Sequence, residues 1–255
     1  MSDERPAFWQ GLPLGREVKL LAVDANGLAA FTKPAGVLSH PNEPGEEERS
    51  LLQAAYALDG EYFRWADEAR EEQRLWLLNR LDSATSGVIL ACADADLAAV
   101  MREQFRHKRV RKVYQALVFG RPQGQIELWR DRLAVQKQAG KIRTSTQQGN
   151  LPAECRMVLL RTRGGLSLVK LEPVTGRSHQ LRVQCAKRGV PIVGDATYGD
   201  FARNRDFARR NGLKRMFLHS VETSFDYDFR GQSWHFDATA PLPLEFEKML
   251  AAAGN

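Results

Sequence analysis

The sequence is poor in what disulfide-stapled, metal-clustered and membrane-spanning proteins need. Its three cysteines, Cys92, Cys155 and Cys185, lie far apart among 255 residues and form no CxxC pair. This argues against a disulfide framework or a cysteine zinc cluster. It fits small buried hydrophobes in a reducing, cytoplasmic setting. The histidines at 40, 107, 179, 219 and 235 show no HxxxH or HxH spacing, so no metal site is expected. No GxxxxGK(S/T), GxGxxG or GxSxG occurs. P-loop enzymes, Rossmann dehydrogenases and α/β hydrolases lose support accordingly. No run approaches the roughly 18 continuous apolar residues of a membrane helix. The N-terminus, MSDERPAFWQGL, has acidic residues and no long apolar core, unlike a signal peptide. A soluble cytoplasmic protein with no membrane partner is expected.

What is present is an ordinary globular composition, 43% hydrophobic and 27% charged, with a formal net charge of +6. The charge is unevenly spread. Residues 1–100 carry 9 basic and 17 acidic side chains, residues 101–215 carry 26 and 8, and residues 216–255 carry 2 and 6. A middle segment of net +18 points to a polyanionic partner. Two basic runs stand out: Arg102, Arg106, Lys108, Arg109, Arg111 and Lys112, and then Arg203, Arg205, Arg209, Arg210, Lys214 and Arg215. Each reads either as phosphate-contacting surface or as a solvated helix face.

Residues 1–17, with Pro6, Gly11, Pro13 and Gly15, read as an irregular lead-in. Val18–Asp24 and Leu28–Lys33 read as strands joined at Asn26-Gly27, a strong hairpin signal. A helix is expected over Ser50–Leu58, and loop or short helix over Tyr62–Arg74. A polar loop from Asn79 to Gly87 separates the apolar runs Leu75–Leu78 and Val88–Ala93. Asp94–His107 is a helix whose Leu97, Val100, Met101 and Phe105 share one face. Val113–Phe119 reads as a strand. Residues 126–172 read as mainly β, with turns at Gly140, Gly149-Asn150 and Gly164-Gly165. Arg177–Arg188 reads as a helix stopped by Gly189, and Pro191–Asp200 as an ordered loop. Phe217–Phe225 and Ser233–Asp237 are strand candidates, and Pro243–Ala253 is a closing helix. The irregular interspersion indicates α+β architecture with a mixed or antiparallel sheet.

Two constellations can carry chemistry. Asp82 lies two residues after Arg80 in the polar loop. A partly desolvated carboxylate held ionised by a guanidinium can serve as nucleophile or base without a cofactor. The other reading is an Asx-turn in a turn-rich segment. The second constellation is Thr175-Gly176-Arg177-Ser178-His179-Gln180-Leu181-Arg182. If it enters a helix, Ser178 and His179 share a face with Arg182, aiming a fixed charge into a cleft. Otherwise it is a solvated basic helix end.

These residues resemble the RluA-type pseudouridine synthase family. Asn79–Gly87, with Arg80-Leu81-Asp82 and Thr85-Ser86-Gly87, is similar to its HRLDxxTSG motif, and Thr175–Arg182 to its TGRxHQ(L/I)R. Pro191–Asp195 with Tyr198-Gly199 resembles P(I/L)xGDxxYG. Lys112-Val113-Tyr114-Gln115-Ala116 resembles K-x-Y-x-A, Lys33–Gly36 resembles KPxG, and Leu218-His219-Ser220 resembles LHA. The matches run in family order over roughly residues 20–250. Asn79 departs from the family's usual histidine. The lead-in is expected to be too short for the S4 RNA-binding domain of many relatives.

The resemblance implies an α+β pseudouridine synthase fold: a mixed, mainly antiparallel sheet flanked by helices, with a central RNA-binding cleft. It implies one catalytic domain over residues 18–255. It further implies isomerisation of uridine in rRNA or tRNA, with no cofactor and no metal. Asp82 would be the catalytic carboxylate and Arg182 its partner cation, and Tyr114 would stack on uracil. Arg80, Arg177 and His179 would contact substrate, and Leu218 would form a hydrophobic wall. RNA is the expected partner; no protein partner is implied and a monomer is expected. The rivals are a catalytically inactive RNA-binding protein on the same fold and a cofactor-free enzyme acting on a glycoside or other polyanion. The glycosidase needs a second carboxylate opposite Asp82, for which Asp195 is the nearest candidate and the resemblance makes it structural.

Overall fold

The computed structural model describes residues 5–138, 141–146 and 149–253. The turn expected at Gly140 lies outside them. In chain order the first elements are α1 (Arg5–Gln10), β1 (Lys19–Val23), β2 (Leu28–Lys33), β3 (Ala55–Ala57), β4 (Tyr62–Ala66), β5 (Glu72–Leu77), β6 (Ser86–Cys92) and α2 (Ala95–Arg106). There follow β7 (Arg111–Phe119), β8 (Ile126–Gln138), β9 (Lys141–Ser145), β10 (Leu151–Arg163) and β11 (Leu166–Pro173). The chain closes with α3 (Gln180–Lys187), α4 (Phe201–Asn211), β12 (Leu218–Phe229), β13 (Gln232–Thr239) and α5 (Leu244–Ala252). None of the described helices is long and apolar enough to cross a membrane.

Two compact units emerge. The first holds residues up to Val110 together with Glu222–Ala240; the second holds Arg111–Val221 and the segment from Pro241 onward. In the first unit β3, β4, β5, β6, β2 and β1 pair antiparallel in that order, and the end of β12 pairs with β13. Every β6 residue is buried. Leu90 of β6 packs with Leu97 and Met101 of α2 and with Phe225 and Phe236. Asp94 caps α2 by accepting from the amides of Asp96 and Leu97. In the second unit β7, β11, β10, β8 and β9 form an antiparallel sheet. Leu117, Val193, Phe217, Phe246 and Leu250 make its core, so α5 is seated by Phe246 and Leu250.

The α+β architecture and the Asn26-Gly27 hairpin are as expected. Four local expectations are corrected. The lead-in contains α1. The helix expected over Ser50–Leu58 is absent: Ala55–Ala57 is a strand, because Tyr56 lies opposite Phe63 with ring centroids 4.9 Å apart. Tyr62–Arg74 belongs to the β4–β5 hairpin. Its turn is closed by Asp67, whose carboxylate accepts from the Glu71 amide and the Gln73 side chain at 2.9 and 2.7 Å. The helix read from Arg177 begins at Gln180, because His179 has a left-handed backbone with φ of 53°. Cys92, Cys155 and Cys185 are free and buried.

Candidate functional site

Asp82 occupies the loop between β5 and β6, and the loop is fastened from several sides. The Leu78 amide donates to the Leu90 carbonyl at 3.0 Å, extending the β5–β6 ladder by one bond. The next bond comes from a side chain: the Leu90 amide donates to Asn79 Oδ1 at 2.7 Å. Asn79 therefore supports the strand, which is how the departure from histidine is accommodated. Ser39 Oγ donates to the Leu81 carbonyl at 2.7 Å and accepts from the Leu81 amide at 3.0 Å. Lys33 is fully buried, and its Nζ donates to the carbonyls of Pro34, Val37 and Ser83 at 3.0, 2.6 and 3.1 Å. The Gly36 amide also donates to Ser83 O, at 2.7 Å. The Lys33–Gly36 motif thus ties the end of β2 to the far side of the Asp82 loop. Asp82 itself is half-buried, and its carbonyl accepts from the Thr85 amide at 2.9 Å.

Arg80 extends outward, its side chain 59% exposed, and its Nη1 lies 3.2 Å from Glu61 Oε1. Glu61 is shared with Arg102, whose Nε lies 3.4 Å from Oε2 and whose Nη2 donates to the Gly60 carbonyl at 2.9 Å.

In the second unit Tyr114 is half-buried on β7 opposite Leu171 of β11. Arg182 lies on α3, most of whose side chains are buried. The reading of this segment as a solvated helix end fails for Arg182, which is 7% exposed. Its Nε and Nη2 donate to Asp195 Oδ2 and Oδ1, each at 2.8 Å, a bidentate pair of the strong kind. Burial alone raises the Asp195 carboxyl, but the bonds and charge of Arg182, with the amides of Tyr198 and Thr197, outweigh it and hold the group below the usual carboxylate range. Asp195 is thereby committed to Arg182, the structural part the resemblance implies.

The Arg182 guanidinium also lies over the Tyr198 ring, 5.0 Å from its centroid. Tyr198 OH bonds to His179 Nδ1 at 2.8 Å and accepts from the Thr144 amide at 2.8 Å. The left-handed turn at His179 thus brings its ring to Tyr198 rather than onto a helix face with Arg182. Gly199 is required here, since a Cβ would fall 2.2 Å from the Asp195 carbonyl. Arg177 is fixed at the entry to α3: its amide donates to Gln180 Oε1 at 3.1 Å and its Nε to the Pro152 carbonyl at 3.2 Å. Leu218 is buried at the start of β12.

The basic runs divide by their partners. Arg106 pairs with Glu103, Arg111 with Glu172, and Arg209 and Arg210 with Asp206. Arg215 packs over Phe217 and Phe246 and reaches Glu245, a packing role rather than a free phosphate contact. A pocket of about 540 Å³ on the second unit is lined by Arg130, Arg132 and Lys187 together with Asp131, which pairs with Lys187, and by none of the motif residues above. Lys33 and Ser39 brace the Asp82 loop, and Tyr198 contacts His179 and Arg182. Lys33 and Tyr198 lie inside recognisable motifs, but nothing near Ser39 in sequence announces its bond to Leu81.

A family model for RNA pseudouridylate synthase matches residues 27–187. An uncharacterised RNA pseudouridine synthase of Chloroflexus aurantiacus is 34% identical over 225 residues, covering 86% of this chain and 64% of that protein. A ribosomal large subunit pseudouridine synthase C of Haemophilus influenzae is 35% identical, covering 66% of this chain and 52% of the relative. A tRNA pseudouridine synthase C of Haemophilus influenzae is 34% identical, covering 89% and 94%. The chain thus spans only about half to two thirds of the first two relatives. The fold is similar to that of human RNA pseudouridylate synthase domain containing 4, at TM-score 0.67 and 22% identity over 99% of this chain and 98% of that one.

Proposed function

The chain belongs to the RNA pseudouridylate synthase family, and from that premise we propose that it isomerises a uridine of structured rRNA or tRNA to pseudouridine without a cofactor. The N1–C1′ bond breaks, uracil turns in place, and C5 bonds to C1′. C5 gives up its proton and N1 gains one, so the reaction is redox-neutral and needs no energy source. Asp82 acts on the ribose as the catalytic carboxylate, with Arg182 as the accompanying cation. Tyr114 lies against the uracil ring, where base stacking contributes about 1–3 kcal/mol. Arg80, Arg177 and His179 contact the RNA, and Leu218 walls the base. A uridine inside a duplex must first leave the stack.

The observation that carries this reading is the Asp82 loop. Its backbone is pinned on one side by Ser39 and on the other by the buried ammonium of Lys33, a cost in desolvation that a mere surface turn does not require. Preorganisation of a carboxylate on rigid backbone is what a reacting group needs. We further propose that the protein acts as a monomer in the cytoplasm, where its buried thiols stay reduced. The test is incubation with uridine-containing rRNA and tRNA followed by chemical mapping of pseudouridine. Wild type forms it at a defined site and Asp82→Asn forms none. No product from wild type on any cellular RNA, or full activity in Asp82→Asn, overturns the assignment.

A further inference from the structure

Lys112 stands apart from the other cations of its run. It lies on β7 two residues before Tyr114, hence on the same face of the strand and about 7 Å along it. Arg102, Arg106 and Arg111 each have a carboxylate partner, and Lys108 and Arg109 are exposed to solvent. The Lys112 ammonium has no hydrogen bond or ion pair among the described residues. Burial pushes its pKa below the ordinary lysine value. The one group coupled to its charge is the Cys155 thiol, itself raised by burial to about 12 and so neutral near pH 7. A desolvated cation without a counter-charge is costly, and an arriving anion removes that cost.

The way in for such an anion is Gly176. A Cβ there would stand 3.5 Å from Lys112 Nζ, in van der Waals contact with the ammonium. With glycine, that side of the amine stays uncovered, and Gly176 is itself exposed. Arg177 follows, anchored through Nε to Pro152 O, and adds a second positive charge at the same turn.

We propose that Lys112, opened by the bare backbone of Gly176, is a docking point for one phosphodiester group of the RNA, beside the nucleotide that meets Tyr114. The inference rests on the reading of the chain as an RNA-modifying enzyme and names the group that holds the backbone next to the target. Neutralising one phosphate releases condensed counterions, so the site has a signature in salt dependence.

The experiment compares the full-length wild type, Lys112→Met and Lys112→Arg. RNA affinity is measured by equilibrium binding over a salt series, and thermal stability is measured in parallel. Lys112→Met keeps the chain length without the charge, so its melting temperature should hold or rise. Its RNA affinity should fall about tenfold, the scale of a charged hydrogen bond, and its salt slope should become shallower by about 0.7–0.9, one phosphate contact. Lys112→Arg should keep the slope. Gly176→Val, which covers the amine, should weaken binding as Lys112→Met does. A folded Lys112→Met with unchanged affinity and slope overturns the proposal. So does a large loss of kcat at unchanged affinity, which would make Lys112 a proton-transfer group. Because binding is read without turnover, absence of pseudouridine in wild type would sink the enzyme reading alone. Normal product with an unchanged salt slope in Lys112→Met would sink this inference alone.

Discussion

Ser39 and Leu81 exchange two hydrogen bonds, hydroxyl to carbonyl at 2.7 Å and amide to hydroxyl at 3.0 Å. One buried side chain therefore fixes both backbone groups of the residue that immediately precedes Asp82. Ser39→Ala should leave a buried amide and carbonyl unpaired at a cost of about 1–3 kcal/mol. Pseudouridine formation should fall more in kcat than in KM, since the carboxylate loses its fixed position while RNA-binding cations are untouched. Denaturant unfolding and steady-state kinetics on the two proteins check both statements. Unchanged kcat would mean that the loop holds Asp82 without Ser39.

Asn79 stands where the family resemblance has histidine, and its Oδ1 completes the β5–β6 ladder by accepting from Leu90 N. Asn79→Ala should lower stability by about 1–3 kcal/mol with little change in kcat per folded molecule. A steep loss of kcat at unchanged stability would instead give Asn79 a part in the chemistry.

The bidentate pair of Arg182 and Asp195 is almost wholly enclosed, with side chains 8% and 1% exposed. Asp195→Ala should cost about 3–5 kcal/mol, because it takes the bidentate carboxylate away from a buried guanidinium. The loss should be non-additive with Arg182→Met in a double-mutant cycle. Additive single losses in thermal denaturation would rule out a direct coupling between the two.

Acid should destabilise the second unit through two carboxylates. Asp195 is held low by Arg182 and backbone amides against its burial, and Asp131 by Lys187, Gln184 and Arg188 against its own. Both folded values lie below the unfolded one, about 3.9. Their contribution is therefore complete above about pH 5 and is lost as pH falls through the depressed folded values. Wild type should lose melting temperature steeply below about pH 4, and Asp195→Asn and Asp131→Asn should each flatten that limb. Identical limbs in all three would refute the linkage.

Several elements were legible because their causes are local. Asn26-Gly27 turns one hairpin, and Asp94 caps a helix whose apolar residues repeat at helical spacing. The β3–β5 hairpins were not legible, because Tyr56 meets Phe63 only after the chain has folded back. The late start of α3 turns on the single left-handed residue His179, which no periodicity reveals. For the candidate site, the motifs marked Asp82, Tyr114 and Arg182, yet not which side chains support them.

The sequence by itself determined the family, the order of the motifs, the residue types available for chemistry and the basic bias of residues 101–215. Only the tertiary structure decided which charges are spent on one another. Arg182 answers Asp195 across 13 residues, Lys33 answers the Ser83 carbonyl across 50, and Lys112 is left with a neutral thiol and a bare glycine. The reason is that desolvation and pairing are set by the groups that surround a side chain in space, and in this protein those groups come from strands and loops far apart along the chain.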